Sequence, residues 1–238
     1  MQYNPPLIEG KIIQRYKRFF TDLELANGEK VTAHTPNTGS MRGCLAAGEA
    51  GFIQKYESTT RKLPYGLELT SVGGSLIHVN TSKTNALVEE ALQNKVISEL
   101  SDYDIIQREY KVGQSRLDFY LSQSHDDKQK CFVEVKNVTL KESDDNLAYF
   151  PDAVSERGQK HLRELMDLHS KGHAAAMIYV IGRQDVEAMS PAFHVDPKYA
   201  ELMQMAQAQG VLILPYQCSI TRREIKIVKK LPVQYKQR

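Results

Sequence analysis

Asp118, Glu134 and Lys136 are the residues of this chain whose types and spacing speak most directly of chemistry. Asp118 lies in Ser115-Arg116-Leu117-Asp118-Phe119, inside a predicted strand over Arg116–Ser122. Glu134 and Lys136 lie in Phe132-Val133-Glu134-Val135-Lys136, inside the next predicted strand, Cys131–Leu140. Side chains two apart on a strand share a face, so Glu134 and Lys136 point the same way. If the two strands pair as a hairpin, Asp118 lies near Glu134 on that face. Two converging carboxylates repel each other unless a cation joins them. Mg²⁺ (or Mn²⁺) suits them, because it prefers oxygen ligands and keeps waters for a substrate. A lysine beside such an ion can position an attacking water and stabilise charge on a phosphate. That layout is the one needed to hydrolyse a phosphodiester. The plainer alternative is a surface hairpin with an ion pair between neighbours two apart.

These residues resemble the PD-(D/E)-x-K nuclease superfamily, with Leu117 in the place of the proline. Further blocks extend the likeness along the chain. They are Arg15-Tyr16-Lys17-Arg18-Phe19, the segment from His34 to Met41, the segment from Glu134 to Leu140 and the segment from Phe150 to Leu162. In this order they resemble the sugar fermentation stimulation protein A family of bacteria and archaea, from near residue 5 to near residue 233. The resemblance implies an N-terminal OB-like β-barrel and a C-terminal nuclease-like domain. It also implies binding of DNA with little sequence preference and a link to the regulation of sugar (maltose) metabolism. Two readings of that function stand side by side: a Mg²⁺-dependent deoxyribonuclease, or a non-catalytic DNA-binding regulatory module on a nuclease-like fold. The sequence does not separate DNA from RNA.

A third carboxylate is expected on the helix before the motif strands, where Glu89 and Glu90 both qualify. Helical periodicity does not choose between them, because Leu87, Val88, Ala91, Leu92, Val96 and Ile97 make this segment apolar around much of its girth. The family pattern places an acid five residues after an asparagine, so Asn85 points to Glu90. On the helix after the motif strands, Arg157 and Lys160 share a face near the first turn and suit phosphate. The resemblance adds Gln159 beside the metal. In the barrel, Arg15, Lys17 and Arg18 alternate with Tyr16, Phe19 and Phe20, and Arg61 and Lys62 extend the basic stretch. Basic residues follow phosphates while aromatic faces stack on bases. The loop Pro36-Asn37-Thr38-Gly39 reads either as a backbone cradle for phosphate or as a demanding turn.

The elements that must position these groups divide the chain near residue 80. Residues 1–80 read as short strands: Leu7–Leu25, Lys30–His34, Gly51–Tyr56, Leu67–Val72 and Ser75–Asn80, separated by Gly, Pro and Asn turns. That pattern is a small barrel or sandwich. Residues 81–238 read as an α/β domain with a mixed sheet flanked by helices. Its helices are expected over Thr81–Leu100, over Ser155–Ser170 with Val154, Leu162, Leu165 and His169 as the buried stripe, and from Pro197 to Gly210. Gly158 is expected to allow close approach by a backbone. No zinc site is expected among His161, His169 and His173.

Composition excludes several classes. With 41% hydrophobic and 25% charged residues, the 238-residue chain is not globally disordered. No apolar run approaches the length of a membrane span and no secretion signal is apparent. Three scattered cysteines give neither a disulfide framework nor zinc spacing, which points to the cytoplasm. Net charge is +2 over residues 1–80, −6 over 81–221 and +6 from 222 onward. An acidic middle between basic ends fits a metal site beside a polyanion surface.

Overall fold

The structure is a computed structural model that describes residues 1–57, 62–113, 115–124, 126–142 and 145–236. The first unit is built from β1 (Ile8–Tyr16), β2 (Phe20–Leu25), β3 (Lys30–His34), β4 (Ala50–Lys55), β5 (Tyr65–Val72) and β6 (Ser75–His78). The strand order is β3-β2-β1-β4-β5-β6. A parallel pairing of Ala33 with Tyr65 and of His34 with Gly66 joins β3 to β5. Five strands therefore close into a barrel, and β6 lies outside the closure on β5. Ile12, Leu23, Val31, Ala33, Ile53 and Leu67 fill its interior.

The run Leu7–Leu25 is two strands rather than one. A turn at Lys17 and Arg18 breaks it, with both residues in the left-handed region at φ 48° and 63°. Neither glycine nor asparagine announces that turn, so turn chemistry gave no warning of it. β4 and β5 lack the alternation of a half-solvated strand because both their faces are covered. Ile53 and Leu67 face the barrel interior, while Phe52 and Leu69 join the core of the second unit.

The second unit begins with a short 3₁₀ turn, Thr81–Lys83, capped by Asn80, and runs into α1 (Thr84–Gln93). The expected helix over Thr81–Leu100 is thus a ten-residue α-helix between two 3₁₀ turns, the second being Ser98–Leu100. The central sheet uses β7 (Ile105–Val112), β8 (Ser115–Gln123), β9 (Asp126–Val138), β12 (Ala174–Ile181), β14 (Leu212–Ile220) and β15 (Ile225–Lys230). Its order is β15-β14-β12-β9-β8-β7. The inner pairs β9–β12 and β12–β14 are parallel, and the outer pairs are antiparallel. This is the expected mixed sheet. Helix α1 packs on one face through Leu87, Val88, Ala91 and Leu92. Helices α2 (Glu156–Ser170) and α3 (Pro197–Ala208) cover the other through Leu162, Leu165, Tyr199 and Met203. Val154 is 68% exposed, so the buried stripe of α2 starts at Gly158 instead.

A small third sheet joins β10 (Leu140–Lys141), β11 (Leu147–Phe150) and β13 (Ala188–Pro191). Its short strands carry no periodicity long enough to read. Residues 1–3 lie against the second unit, where Gln2 bridges Glu224 and the Tyr3 N–H donates to the Arg223 carbonyl at 2.8 Å. All three cysteines are buried and free. No helix among the described residues is long and apolar enough to cross a membrane.

Candidate nucleic-acid and metal site

The hairpin of β8 and β9 ends its regular ladder at Phe119 opposite Val133, one step before Asp118 and Glu134. There a side chain takes over from the backbone: the Val135 N–H donates to Asp118 Oδ2 at 2.8 Å. Asn85, on the first turn of α1, donates to Asp118 Oδ1 at 2.8 Å. Alternation is interrupted here, since Leu117 joins the core beneath α2 while Phe119 joins the core beneath α1. Burial and the nearby Glu134 push the Asp118 carboxyl above its usual range, against the two donors.

Glu134 is only 3% exposed. Its Oε1 accepts from Lys136 Nζ at 2.7 Å and is in close contact with Nδ1 of His161 on α2. Lys136 Nζ also lies 3.1 Å from that same His161 nitrogen. Burial alone would raise the Glu134 carboxyl, but His161 and Lys136 outweigh it and bring it below its ordinary value. Its Oε2 is buried without a hydrogen-bond partner. An ionised carboxylate with one orphaned buried oxygen, beside a second carboxylate, matches the donor set of a hard divalent cation. Asp118, Glu134 and Lys136 line one cleft of about 390 Å³. Asn85, Asp152, Arg157 and the 37–39 loop line it too.

The other expected residues divide sharply. Glu90 does not line the cleft; both its oxygens face the N-terminal amine of Met1, at 2.9 Å. Glu89 is four residues from Asn85 and so shares its helix face, but it pairs with Arg108 at 3.5 Å. Among the described residues no group of three His, Cys, Asp or Glu side chains forms a metal cluster. Gln159 turns away and donates to Asp196, the cap of α3, at 3.0 and 3.2 Å. Arg157 is exposed and borders both the cleft and a neighbouring groove that Lys160, Arg116 and His161 line. Lys160 donates to Ser115 Oγ at 3.1 Å.

In the barrel, Arg15 is not a free cation. Its guanidinium donates to the carbonyls of Arg18 at 3.0 Å, Asn37 at 2.9 Å and Gly39 at 3.2 Å, so it clamps the β1–β2 turn to the 37–39 loop. Lys17, Arg18 and Lys62 are exposed. Arg61 lies outside the described residues. The 37–39 loop is held by internal bonds: the Gly39 N–H donates to Asn37 Oδ1 at 2.9 Å, and the Ser40 N–H donates to Asp152 Oδ2 at 2.8 Å. A Cβ on Gly39 would collide with the Asp152 carboxylate, so this glycine serves close approach. Gly158 likewise admits the side chains of Ser155 and Tyr199 rather than a backbone. Three basic residues of the tail pair with acids elsewhere in the chain, Arg222 with Glu9, Lys230 with Glu99 and Lys236 with Asp145.

His161 and Asn85 are the site residues that sequence reasoning missed. By spacing alone, His161 raises only the question of a zinc site. The signal for it was its place one position before Leu162 on the inner face of α2, under the strand that carries Glu134.

Two family models match the chain: the SfsA N-terminal OB domain over residues 13–79 and the sugar fermentation stimulation protein RE domain over residues 82–224. The chain belongs to the sugar fermentation stimulation protein family. A sugar fermentation stimulation protein homolog from Shewanella sp. (strain ANA-3) is 45% identical over 237 residues, covering 98% of this chain and 100% of the relative. A homolog from Citrifermentans bemidjiense is 46% identical over 234 residues, covering 98% and 99%. The solved structure of Pyrococcus furiosus SfsA in complex with Ca²⁺ matches with a TM-score of 0.86 at 28% identity, covering 98% of both chains. The family models agree with the two units seen here: the OB domain falls on the barrel and the RE domain on the mixed-sheet unit.

Proposed function

We propose that this member of the family binds DNA with low sequence specificity and hydrolyses its phosphodiester backbone with the help of Mg²⁺ or Mn²⁺. The observation that carries this reading is the buried, partnerless Oε2 of Glu134 beside Asp118, with the Lys136 ammonium 2.7 Å from the other Glu134 oxygen. Asp118 and Glu134 would hold the ion. When bound, it would polarise a phosphoryl oxygen and lower the pKa of a water. Lys136, fixed by Glu134 and His161, orients that water and opposes the charge that builds on phosphate. Asn85 fixes the Asp118 carboxylate. Arg157 and Lys160 meet phosphates on one side of the cleft, and Lys17, Arg18 and Lys62 meet them on the barrel. The relative solved with Ca²⁺ supports a hard divalent ion in this fold. The family name supports a regulatory setting in sugar metabolism.

The test is Mg²⁺- and Mn²⁺-dependent cleavage of labelled single- and double-stranded DNA and of RNA, beside Asp118→Asn. Cleavage by the wild type that is lost in the variant supports the reading. Absence of cleavage with DNA binding intact overturns the hydrolytic part and leaves a non-catalytic binding module.

A further inference from the structure

A second cavity, of about 580 Å³, opens at the end of the barrel. Its walls are Phe19, Phe20, His34 and Tyr56, with Lys62 and Asn80 also lining it. Phe19 and His34 present parallel ring faces, 6° apart in plane. Phe19 is 40% exposed, and an aromatic left open beside a cavity is a surface that a ligand can cover. Its position is enforced. The turn before it keeps Lys17 and Arg18 left-handed, which is strained for residues with side chains. Arg15 stabilises that turn through the Arg18 carbonyl. The Tyr56 ring is fixed as well. It lies so close to Gly66 that a Cβ there would come within 2.7 Å of it, and its hydroxyl donates to Glu68 at 2.6 Å.

This cavity adjoins the carboxylate cleft through two stretches of backbone. Pro36 lines the cavity and Asn37 the cleft; Asn80 and Ser82 line the cavity, and Thr81 and Thr84 the cleft. Consecutive Cα atoms are only about 3.8 Å apart, so the two spaces share a thin backbone wall. Arg15 binds both the Phe19 turn and the Asn37 and Gly39 carbonyls, which keeps that spacing rigid.

We propose that the barrel cavity receives one unstacked nucleobase of the strand whose phosphate occupies the cleft. The preferred substrate is then single-stranded DNA, or a duplex with an unpaired nucleotide at that point. The inference rests on the nucleic-acid reading above and adds the strandedness it leaves open. Aromatic walls hold any base by its face, whereas a base inside a duplex cannot reach them. The amide of Asn80 is already engaged, donating to Glu68 at 2.9 Å and accepting from the Ser82 N–H at 3.1 Å. It is therefore not free to read a base edge, which fits low sequence preference. Exposed Lys17, Arg18 and Lys62 around the opening suit the strand's phosphates.

The test measures affinity by fluorescence anisotropy for a labelled single-stranded oligonucleotide and for a blunt duplex of the same sequence. Wild type and Phe19→Ala are compared at fixed salt without divalent metal. The expected result is a single-strand preference in the wild type that falls about 5- to 150-fold in the variant, the alanine effect of one base–aromatic stack. An unchanged preference ratio overturns the proposal. A second arm needs no variant: a single strand that is abasic throughout is compared with the ordinary one of the same length, and affinity falls if a base enters the cavity. Equal affinity for the two strands overturns the proposal. Cleavage is scored separately with Asp118→Asn. Loss of cleavage without change in the Phe19 ratio therefore faults the cavity alone, and a shifted ratio without cleavage faults the hydrolytic reading alone.

Discussion

Glu134 has Lys136 and His161 on one oxygen and no partner on the other. His161 decides that asymmetry, because it comes from α2 and fixes both Glu134 and Lys136. We expect His161→Ala to leave a folded protein that needs about 10- to 100-fold more Mg²⁺ for half-maximal cleavage, the usual effect of removing a group that orients a metal ligand. A metal titration of the cleavage rate checks this, and an unchanged midpoint would make His161 a packing residue only. Asp118 gives a complementary expectation. A divalent ion that binds only the folded chain at 100 times its Kd stabilises by about 2.7 kcal/mol, or roughly 5–10 °C in Tm for a chain of this size. Thermal scans with Mg²⁺ and with EDTA should show that difference in the wild type and lose it in Asp118→Asn. The neutral amide keeps its contacts, because the Asn85 amide can turn to accept. At this scale the sequence was informative where chemistry and strand period coincide, as for Asp118, Glu134 and Lys136. It misled where partners come from distant segments. Glu90 meets the Met1 amine, Gln159 meets Asp196 and Arg15 meets the Asn37 and Gly39 carbonyls, and none of these partners is a sequence neighbour.

Helix α2 brings His161 to the strands, so its start must sit in one place. Ser155 caps it by accepting from the Gly158 N–H at 3.1 Å, and the Ser155 N–H donates to Asp196 at 2.9 Å. Asp196 also caps α3 by accepting from the Tyr199 N–H at 2.9 Å. One carboxylate thus ties both helix starts together, and Gly158 lets them approach. A Cβ at Gly158 would meet Ser155 Oγ at 2.8 Å and Tyr199 Cε2 at 2.9 Å. Tyr199 is fully buried against Tyr179, so its ring has no room to yield. Gly158→Ala should therefore destabilise by about 1–3 kcal/mol, despite alanine's better helix propensity. Urea unfolding tests this, and a gain in stability would mean that the helix pair can slide apart. Long periodic elements such as α2 and α3 were legible. The β1–β2 turn was not, because a side-chain bond from Arg15 to the Arg18 carbonyl holds the turn where propensity would not place it. The short β11 and β13 are specified by pairing with each other rather than by any pattern within themselves.

The cleft exists only because barrel and sheet domain are held in register, and that junction contains buried polar groups. Glu68 of β5 is fully buried, with Lys83 Nζ 3.0 Å away at the entry to α1. His78 of β6 is also fully buried, and its backbone N–H donates to the Gly182 carbonyl at 2.7 Å, beyond β12. Burial, with nearby Lys83 adding to it, pulls the His78 imidazole down from 6.5 to about 3. In the unfolded chain this histidine takes up a proton near pH 6.5, whereas in the folded chain it stays neutral until about pH 3. Between those values the unfolded state binds more protons, so stability rises with pH. The His78 contribution is intact above about pH 6.5 and is lost progressively as pH falls towards 3. The slope from one such group approaches about 1.4 kcal/mol per pH unit in the middle of that window. Urea midpoints at pH 7.5, 6.0 and 5.0 should decline accordingly. His78→Leu removes the titrating ring while keeping an apolar side chain at the junction, so its midpoints should fall less steeply over the same range. Equal slopes in the two proteins would mean that the imidazole is protonated in the folded state. Because His78 couples the last barrel strand to the loop after β12, both units should report the acid loss together. Far-UV circular dichroism and the fluorescence of a label placed on the barrel surface should then give coincident transitions.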